Sequence, residues 1–428
     1  MKERTYSNQL KEKIGQKVTL WGRLYAVRKM GGITFVVLQD RDGLTQAVFE
    51  KEPEKIRAGS IIKLSGLVRQ EERAPGGVEM EGETLSVLNE TKEDYPFDLS
   101  KKELRLNINT LLDHRPLSLR HESQRDLFRV YGSILEGYRR FMREKKFTEV
   151  KTPKIAGAAA EGGTNLFSVN YFGKRAVLSQ SPQLYKQILA GVYENVFEVG
   201  STFRAEKHFT SRHVNEMVML DAEMAFIDSE KEVMKMLEEC LRSLFGFVES
   251  EHEELLKNRG VEKILFPEKE FPALALAEMK KLIKEKYGHE VPAETDIDPE
   301  GERLAGQYAK EKFNSDFIFL TEYPVKDRPF YTMPGEDGKT KSFDLIFRGI
   351  EISSGAQRIH EYEMLVENIK NFKLNPDDFA FYLEAFKFAM PPHGGWGLGS
   401  ERLLYKLFNL DSVKEAILFP RDVKRLEP

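Results

Sequence analysis

Hydrophobic positions along the chain change their period near residue 120. Over residues 17–88 they alternate: Val18, Leu20 and Leu24, then Ile33-Thr-Phe-Val-Val-Leu38, Thr45-Gln-Ala-Val-Phe49, Ile61-Ile-Lys-Leu64 and Leu85-Ser-Val-Leu88. Alternation broken by the turn signals Gly31-Gly32 and Asp42-Gly43 predicts short β-strands. Five strands in this span predict a small barrel, with the oligonucleotide-binding (OB) type as first candidate. Residues 89–120 are polar and carry Pro96 and Pro116. A barrel domain over 1–90, a linker over 91–122 and a second domain over 123–428 are therefore expected.

A helical period then takes over. Leu127, Val130, Tyr131, Ile134, Leu135, Tyr138, Phe141 and Met142 form one stripe, and the predicted helix ends near Lys145-Lys146. Phe147-Thr-Glu-Val150 runs extended into Pro153. From 176 to 227 strand-like segments alternate with charged loops, and a second amphipathic helix is predicted over 229–258. Residues 259–316 read as mixed helix and loop. Strands return at Phe317-Ile-Phe-Leu320, Phe343-Asp-Leu-Ile-Phe347 and Gly349-Ile-Glu-Ile352. A helix is expected near 360–371. The glycine run Gly394-Gly-Trp-Gly-Leu-Gly399 reads as a turn opening a last helix near Ser400.

Composition narrows the class. At 428 residues two domains are the natural expectation. No apolar run approaches the roughly 18–20 residues of a membrane span, and the first residues, MKERTYSNQLKEK, carry no apolar leader. The one cysteine, Cys240, excludes an internal disulfide framework and a cysteine-based metal site. A cytoplasmic protein with no membrane partner is expected. The net charge of -4 gives no global basic field, although a local basic stripe can still serve nucleic acid.

Two segments carry candidate chemistry. Phe203-Arg204-Ala205-Glu206, then Arg212-His213 and Asp221-Ala-Glu223, crowd cations and carboxylates between strand-like flanks. Such a mixture is ordinarily a solvated loop, but a hairpin with a charged tip suits a nucleoside triphosphate. The glycine run ending in Ser400-Glu401-Arg402 permits close backbone approach, yet it is no Walker loop, because no Gly-Lys-Ser/Thr follows.

Together these pieces resemble the three signature motifs of class II aminoacyl-tRNA synthetases. The long helix with Pro153 resembles motif 1, Phe203-Arg204-x-Glu206 motif 2, and Gly397-Leu-Gly-Ser-Glu-Arg402 motif 3. Within that class the chain is similar to the aspartyl-tRNA synthetases of archaeal/eukaryotic type. The residues that carry this are Gln180-Ser-Pro-Gln-Leu-Tyr-Lys-Gln187, Glu161-Gly-Gly163, Gly349-Ile-Glu-Ile-Ser-Ser-Gly355 with Gln357-Arg358, and Phe419-Pro-Arg-Asp422. The resemblance implies an α+β protein: a five-stranded OB-fold anticodon-binding barrel plus a catalytic domain with a mainly antiparallel sheet flanked by helices. Residues 228–316 are too few for the large extra domain of bacterial enzymes, so a small helical insertion is expected. Motif 1 implies a homodimer.

The resemblance also implies roles. Arg358 and Lys186 would hold the side-chain carboxylate of aspartate, which asparagine could not match. Asp221 and Gln183, with Glu161 or Ser181 nearby, would take its ammonium, and His393 would help to position it. ATP would meet Arg204 at the α-phosphate and Arg402 toward the γ-phosphate, the two catalytic cations. Glu206, His213, Glu351 and Gly399 would complete that site. Met217 stands where relatives commonly carry an aromatic, and its thioether can pack on adenine. Asp344, Glu351 and Ser354 offer hard oxygens for Mg2+. In the barrel, Phe35 and Gln46 would read the central anticodon base, with Arg23, Arg28 and Lys29 on phosphates and Glu79 or Glu83 at another base.

Asparagine-specific and lysine-specific enzymes of the same fold, and a synthetase-like RNA-binding paralogue, are the rival readings. Lys186 opposes the first, both pocket cations oppose a lysine substrate, and the intact motifs oppose the paralogue. Pro75 stands where enzymes restricted to tRNA(Asp) carry lysine, which favours charging of tRNA(Asn) as well. Tyr25 matches neither the strict nor the relaxed pattern.

Overall fold

Alternation in the first unit becomes a barrel. In the computed structural model, which describes residues 4–50, 56–101, 103–157, 165–207, 210–292 and 295–427, its strands are β1 (Lys17–Met30), β2 (Ile33–Gln39), β3 (Leu44–Phe49), β4 (Ile61–Gln70) and β5 (Val78–Asn89). They close in the order β1-β2-β3-β5-β4. The β3–β5 seam is parallel and the other pairs are antiparallel. Inward positions Leu20, Leu24, Val36, Leu38, Ile62, Leu64 and Met80 are fully buried, so one face of each strand supplies the interior. The β1–β2 turn uses Gly31 at φ 58° and Gly32 at φ 85°, a conformation that suits glycine.

The chain divides into units Met1–Arg125 and Asp126–Pro428. The stretch read as a linker contains two short helices, α1 (Ile108–Asp113) and α2 (Arg115–Ser118). Buried Arg115 donates to Gln124 Oε1 at 2.9 Å. Its polarity hid a local structure held by such side-chain bonds. Helix α3 (Glu122–Glu144) begins at the boundary.

The second unit follows as β6 (Thr148–Glu149), β7 (Ile155–Ala156), β8 (Ser168–Tyr171), β9 (Lys174–Leu178), α4 (Gln183–Tyr193), β10 (Asn195–Phe203) and β11 (Glu216–Ala225). Then come α5 (Glu230–Asn258), β12 (Ala273–Ala275), α6 (Leu276–Tyr287), α7 (Pro299–Phe313), β13 (Phe317–Thr321), β14 (Ser342–Phe347) and β15 (Ile350–Gln357). The last elements are α8 (Tyr362–Asn371), α9 (Ala380–Lys387), β16 (His393–Gly399) and α10 (Ser400–Leu407). Eight strands form one sheet, β12-β13-β14-β15-β16-β11-β10-β6, antiparallel except at its two edges. The stripes of α3 and α5 join its apolar face: Leu127, Ile134 and Tyr138 share a core with Val233, Leu237 and Leu244 and with Phe197, Leu220 and Trp396 of the sheet.

Two expectations change. The interval 228–316 is no appendage, because α5 lies in the main core and β12 edges the sheet. Only α6 and α7 form a satellite, packed on β13 through Met279, Ile283, Leu304, Ala305, Ile318 and Leu320. The glycine run is not a turn but strand β16, paired on both sides with β15 and β11. Glycine usually weakens a strand, and here it serves close approach instead. A Cβ on Gly395 would lie 2.1 Å from the Ala222 carbonyl oxygen and 2.3 Å from Glu223 Oε2.

Candidate active site

Above the central strands lies a cavity of about 310 Å3. The β10–β11 hairpin forms one wall. Its tip is tied by Arg204 N to the Asn215 carbonyl (3.0 Å) and by Asn215 Nδ2 to the carbonyls of Arg204 (2.7 Å) and Glu206 (3.1 Å). Arg204, Glu206, His213 and Met217 all line the cavity. Glu206 lies 3.8 Å from Arg204 Nη1 and 3.6 Å from His213 Nε2. On the opposite wall Arg402 reaches the Glu351 carbonyl oxygen at 2.6 Å and its carboxylate at 3.7 Å. Gly399 and Ser354 line the same space.

The floor is a buried charge network. Strand alternation puts Asp221 and Glu223 on one face of β11. Lys186, from α4, sits 2.9 Å from Asp221 Oδ1 and 3.6 Å from Glu223 Oε2, and donates to the Trp396 carbonyl at 2.8 Å. Arg358, just past β15, donates Nε to Glu223 Oε1 at 2.9 Å, and Nη2 to Oε2 at 3.3 Å and to the Gly395 carbonyl at 2.9 Å. None of these side chains is more than 5% exposed. Burial raises the Glu223 carboxyl, but Arg358 and then Lys186 outweigh it and hold it below the usual range. Burial holds Asp221 above its usual range, with Lys186 opposing only in part.

The expected substrate contacts divide. Ser181, Gln183, Asp221 and Arg358 line the cavity, and Gln183 Nε2 is buried there without a partner. Lys186 is absent from the lining and stands behind Asp221. His393 is also absent, being fully buried with Nδ1 2.8 Å from the Pro391 carbonyl and Nε2 3.2 Å from Gln187 Oε1. Glu161 and its glycines lie outside the described residues. Asp344 is turned to Arg328, whose Nη2 is 2.8 Å from Oδ2, and the same guanidinium donates to Ser354 Oγ at 3.0 Å. Among the described residues no three His, Cys, Asp or Glu side chains gather as a metal-ligand group. The donor set Asp344, Glu351 and Ser354 nevertheless fits a hard cation: Asp344 Oδ1 is buried with no partner, and all three supply oxygen.

Sequence reasoning missed several groups. Glu223 was legible, two residues beyond Asp221 on one strand face. Arg212, in the charged hairpin segment, was given no role, and Arg328, which lines the cavity with it, carried no local signal. Neither did Glu302 of α7, which accepts from Arg212 and from the Glu351 backbone N–H at 2.7 Å. Glu401 accepts from Val218 N–H at 2.9 Å and from Tyr131 hydroxyl at 3.0 Å, tying α3 and β11 to α10.

In the barrel unit, Phe35 is half-buried on β2 opposite Arg28 of β1 and Val48 of β3. Gln46 donates to Glu79 Oε2 at 3.1 Å, whereas Glu83 is paired with Lys17 at 2.6 Å. Of the two acids, Glu79 is the one beside Gln46. Tyr25 donates its hydroxyl to the Leu99 carbonyl, anchoring the segment that follows the barrel. The turn Pro75–Gly77 sits just before β5.

Comparison with known proteins decides the family. The family described as tRNA synthetases class II (D, K and N) matches residues 107–423, and the OB-fold nucleic acid binding domain matches residues 18–88. The chain belongs to the class II tRNA synthetases. Among curated synthetases, it is 45% identical to the aspartate–tRNA(Asp/Asn) ligase of Thermus thermophilus, covering 99% of this chain and all of that one. With the aspartate–tRNA(Asp) ligase of Pyrococcus abyssi it shares 40%, covering 99% of each. Among solved synthetase structures, the asparaginyl-tRNA synthetase of Pyrococcus horikoshii with asparaginyl-adenylate matches with TM-score 0.91 at 30% identity over the whole of both chains. The aspartyl-tRNA synthetase of Entamoeba histolytica matches with TM-score 0.87 at 28%, over all of this chain and 93% of that one.

His393 gives this synthetase a pH signature. Burial depresses its imidazole to about 4, against 6.5 in the unfolded chain. Between those values the unfolded state binds the proton and the folded state does not, so stability falls as pH drops from about 6.5 toward 4. Denaturant unfolding at pH 7 and pH 5 should show a pH-dependent loss of about 2 kcal/mol that His393→Gln removes. An unchanged slope in that variant would refute the assignment.

Proposed function

We infer that this chain activates L-aspartate with ATP and transfers the aspartyl group to the 3′ end of tRNA(Asp). The observation that carries the reading is the buried set Lys186, Asp221, Glu223 and Arg358 under a cavity walled by Arg204 and Arg402. Arg358 presents a donor-only guanidinium to a substrate side chain, and none of its bonds to Glu223 or Gly395 uses Nη1. Asp221 and Gln183 suit the ammonium. The full-length identity to aspartate ligases, together with Lys186, favours aspartate over asparagine.

The chemistry then needs positioning and charge stabilisation, not a covalent enzyme intermediate. The aspartate α-carboxylate attacks the α-phosphorus of ATP in line, and the bond to pyrophosphate breaks. Arg204 meets the charge that grows on the α-phosphate, and Arg402 the leaving end. His213 and Glu206 frame the hairpin side, and Met217 packs on the adenine. Asp344, Glu351 and Ser354 would hold Mg2+, which supplies neutralisation of phosphate charge when bound. The terminal ribose hydroxyl of the tRNA then attacks the aspartyl carbonyl, and AMP leaves. In the barrel, Phe35 and Gln46 with Glu79 read anticodon bases. The working form is a cytoplasmic homodimer.

The exchange of labelled pyrophosphate into ATP, run with each of the twenty amino acids, should proceed with aspartate alone. Exchange with asparagine in its place would overturn the reading. Arg358→Gln and Lys186→Met should raise the aspartate KM by at least thirtyfold, about 2 kcal/mol, with the ATP KM little moved. Unchanged aspartate KM in both folded variants would refute the pocket.

A second reading concerns tRNA choice. Pro75 in the turn before β5 and the Thermus relative's name favour an enzyme that charges both tRNA(Asp) and tRNA(Asn). Charging purified tRNA(Asn) with labelled aspartate should reach within about a thousandfold of the efficiency on tRNA(Asp), and a larger gap, above about 4 kcal/mol, would exclude it.

A further inference from the structure

Arg328 lines the catalytic cavity, and the reading above gives it no task. It lies in the segment after the Val325–Asp327 turn, and its side chain is 9% exposed. Its guanidinium carbon rests 3.5 Å from the centre of the Tyr323 ring. Nη2 is 2.8 Å from Asp344 Oδ2, while Nη1 donates to Ser354 Oγ at 3.0 Å. The contact with Asp344 is an ion pair without hydrogen-bond alignment: Arg328 Nε and Nη2 are buried without an aligned acceptor, and Asp344 Oδ1 is buried without a donor. Asp296 lies close enough to influence both Asp344 and Arg328.

These contacts place a fixed positive charge on two of the three groups assigned to Mg2+. We propose that Arg328 is a resident cation that makes divalent-ion binding by this chain conditional on nucleotide. The proposal rests on the assignment of Asp344, Glu351 and Ser354 as the oxygen site. A divalent ion arriving alone meets a carboxylate already neutralised, and a guanidinium that repels it at short range. Buried ion pairs lacking full hydrogen bonding are poorly compensated, so the pair is held by the absence of a better partner. A triphosphate in the cavity supplies that partner. Arg328 lines the cavity, and its Nε and Nη2, which lack an aligned acceptor, suit phosphate oxygens. With the guanidinium drawn to the phosphates, Asp344 and Ser354 are released to the ion that comes with them.

Mn2+ binding to the full-length protein, read by electron paramagnetic resonance of the free ion, tests this without turnover. The wild type should bind Mn2+ at least a hundredfold more tightly with a non-hydrolysable ATP analogue than without nucleotide, after subtraction of Mn2+ held by the analogue alone. Arg328→Gln should gain one nucleotide-independent Mn2+ per chain, at least tenfold tighter than the wild type, and Arg328→Lys should keep the block. Mn2+ should also raise the Tm of nucleotide-free Arg328→Gln and leave the wild type unmoved. Tight Mn2+ binding by the nucleotide-free wild type would overturn the proposal, even if Arg328→Gln failed to fold. Equal Mn2+ affinity in folded Arg328→Gln and wild type would overturn it too. Asp344→Asn separates the two assignments: Mn2+ retained in its complex with the analogue would refute the oxygen site itself.

Discussion

Two cations and two carboxylates taken out of water together constrain the whole catalytic unit. An isolated buried charge is costly, and a buried pair persists only where geometry and further hydrogen bonds compensate the lost hydration. Lys186 comes from α4, Asp221 and Glu223 from β11, and Arg358 from the end of β15. Their pairing therefore fixes where α4 docks and which strands stand together. It also explains the composition of β16. That strand runs between the carriers, its Trp396 and Gly395 carbonyls accept from Lys186 and Arg358, and a side chain at 395 would displace Glu223.

The same logic extends outward through single carboxylates that each join separate segments. Glu401 is buried and its carboxyl is raised by that burial; it receives the Val218 N–H and the Tyr131 hydroxyl, so the long helix α3 bears on the hairpin and on α10 at once. Glu302 does this at the cavity wall, receiving Arg212 from the hairpin loop and the backbone N–H of Glu351. Helix α7, from the least informative stretch of sequence, thus has a direct hold on the cavity wall.

Legibility followed the range of the determining contacts. The barrel strands, α3 and α5 were readable because burial at every second, or every third and fourth, position is a local rule. Arg204, Glu206 and Arg402 stood out through motif spacing, and the structure brings them to one cavity. What sequence could not supply was long-range pairing. The glycine run looked like a turn, because nothing local reveals that both flanking strands press against it. Lys186 was expected to face the substrate, but its distance behind Asp221 depends on how α4 meets β11. His393 looked chemical from its position beside the glycines, while its ring is committed to Pro391 and Gln187. Arg328 had no motif at all. Its partners lie 16 and 26 positions away, on strands that only the fold places side by side.

If this cavity takes aspartate as proposed, the neutral pairing beneath it changes how aspartate can be told from asparagine. A bare arginine and lysine would select a carboxylate by charge alone. Here the two positive groups are already balanced by Asp221 and Glu223, so net charge is a weak discriminator. Hydrogen-bond direction is the stronger one. Arg358, the cation of the pair that lines the cavity, can only donate, and an amide NH2 can only donate as well. Of the two carboxylates, Asp221 lines the cavity and is the one proposed for the substrate ammonium, while Glu223 has its oxygens held by Arg358 at 2.9 and 3.3 Å with Lys186 3.6 Å away, and those cations keep it ionised. An asparagine amide would have to break that grip or leave its own N–H groups unmet in a buried site, a cost of about 1–3 kcal/mol per group. On the proposed aspartate reading, Glu223 would favour the carboxylate by having no free oxygen to offer an amide, so the pairing that lets these charges be buried would also serve selection.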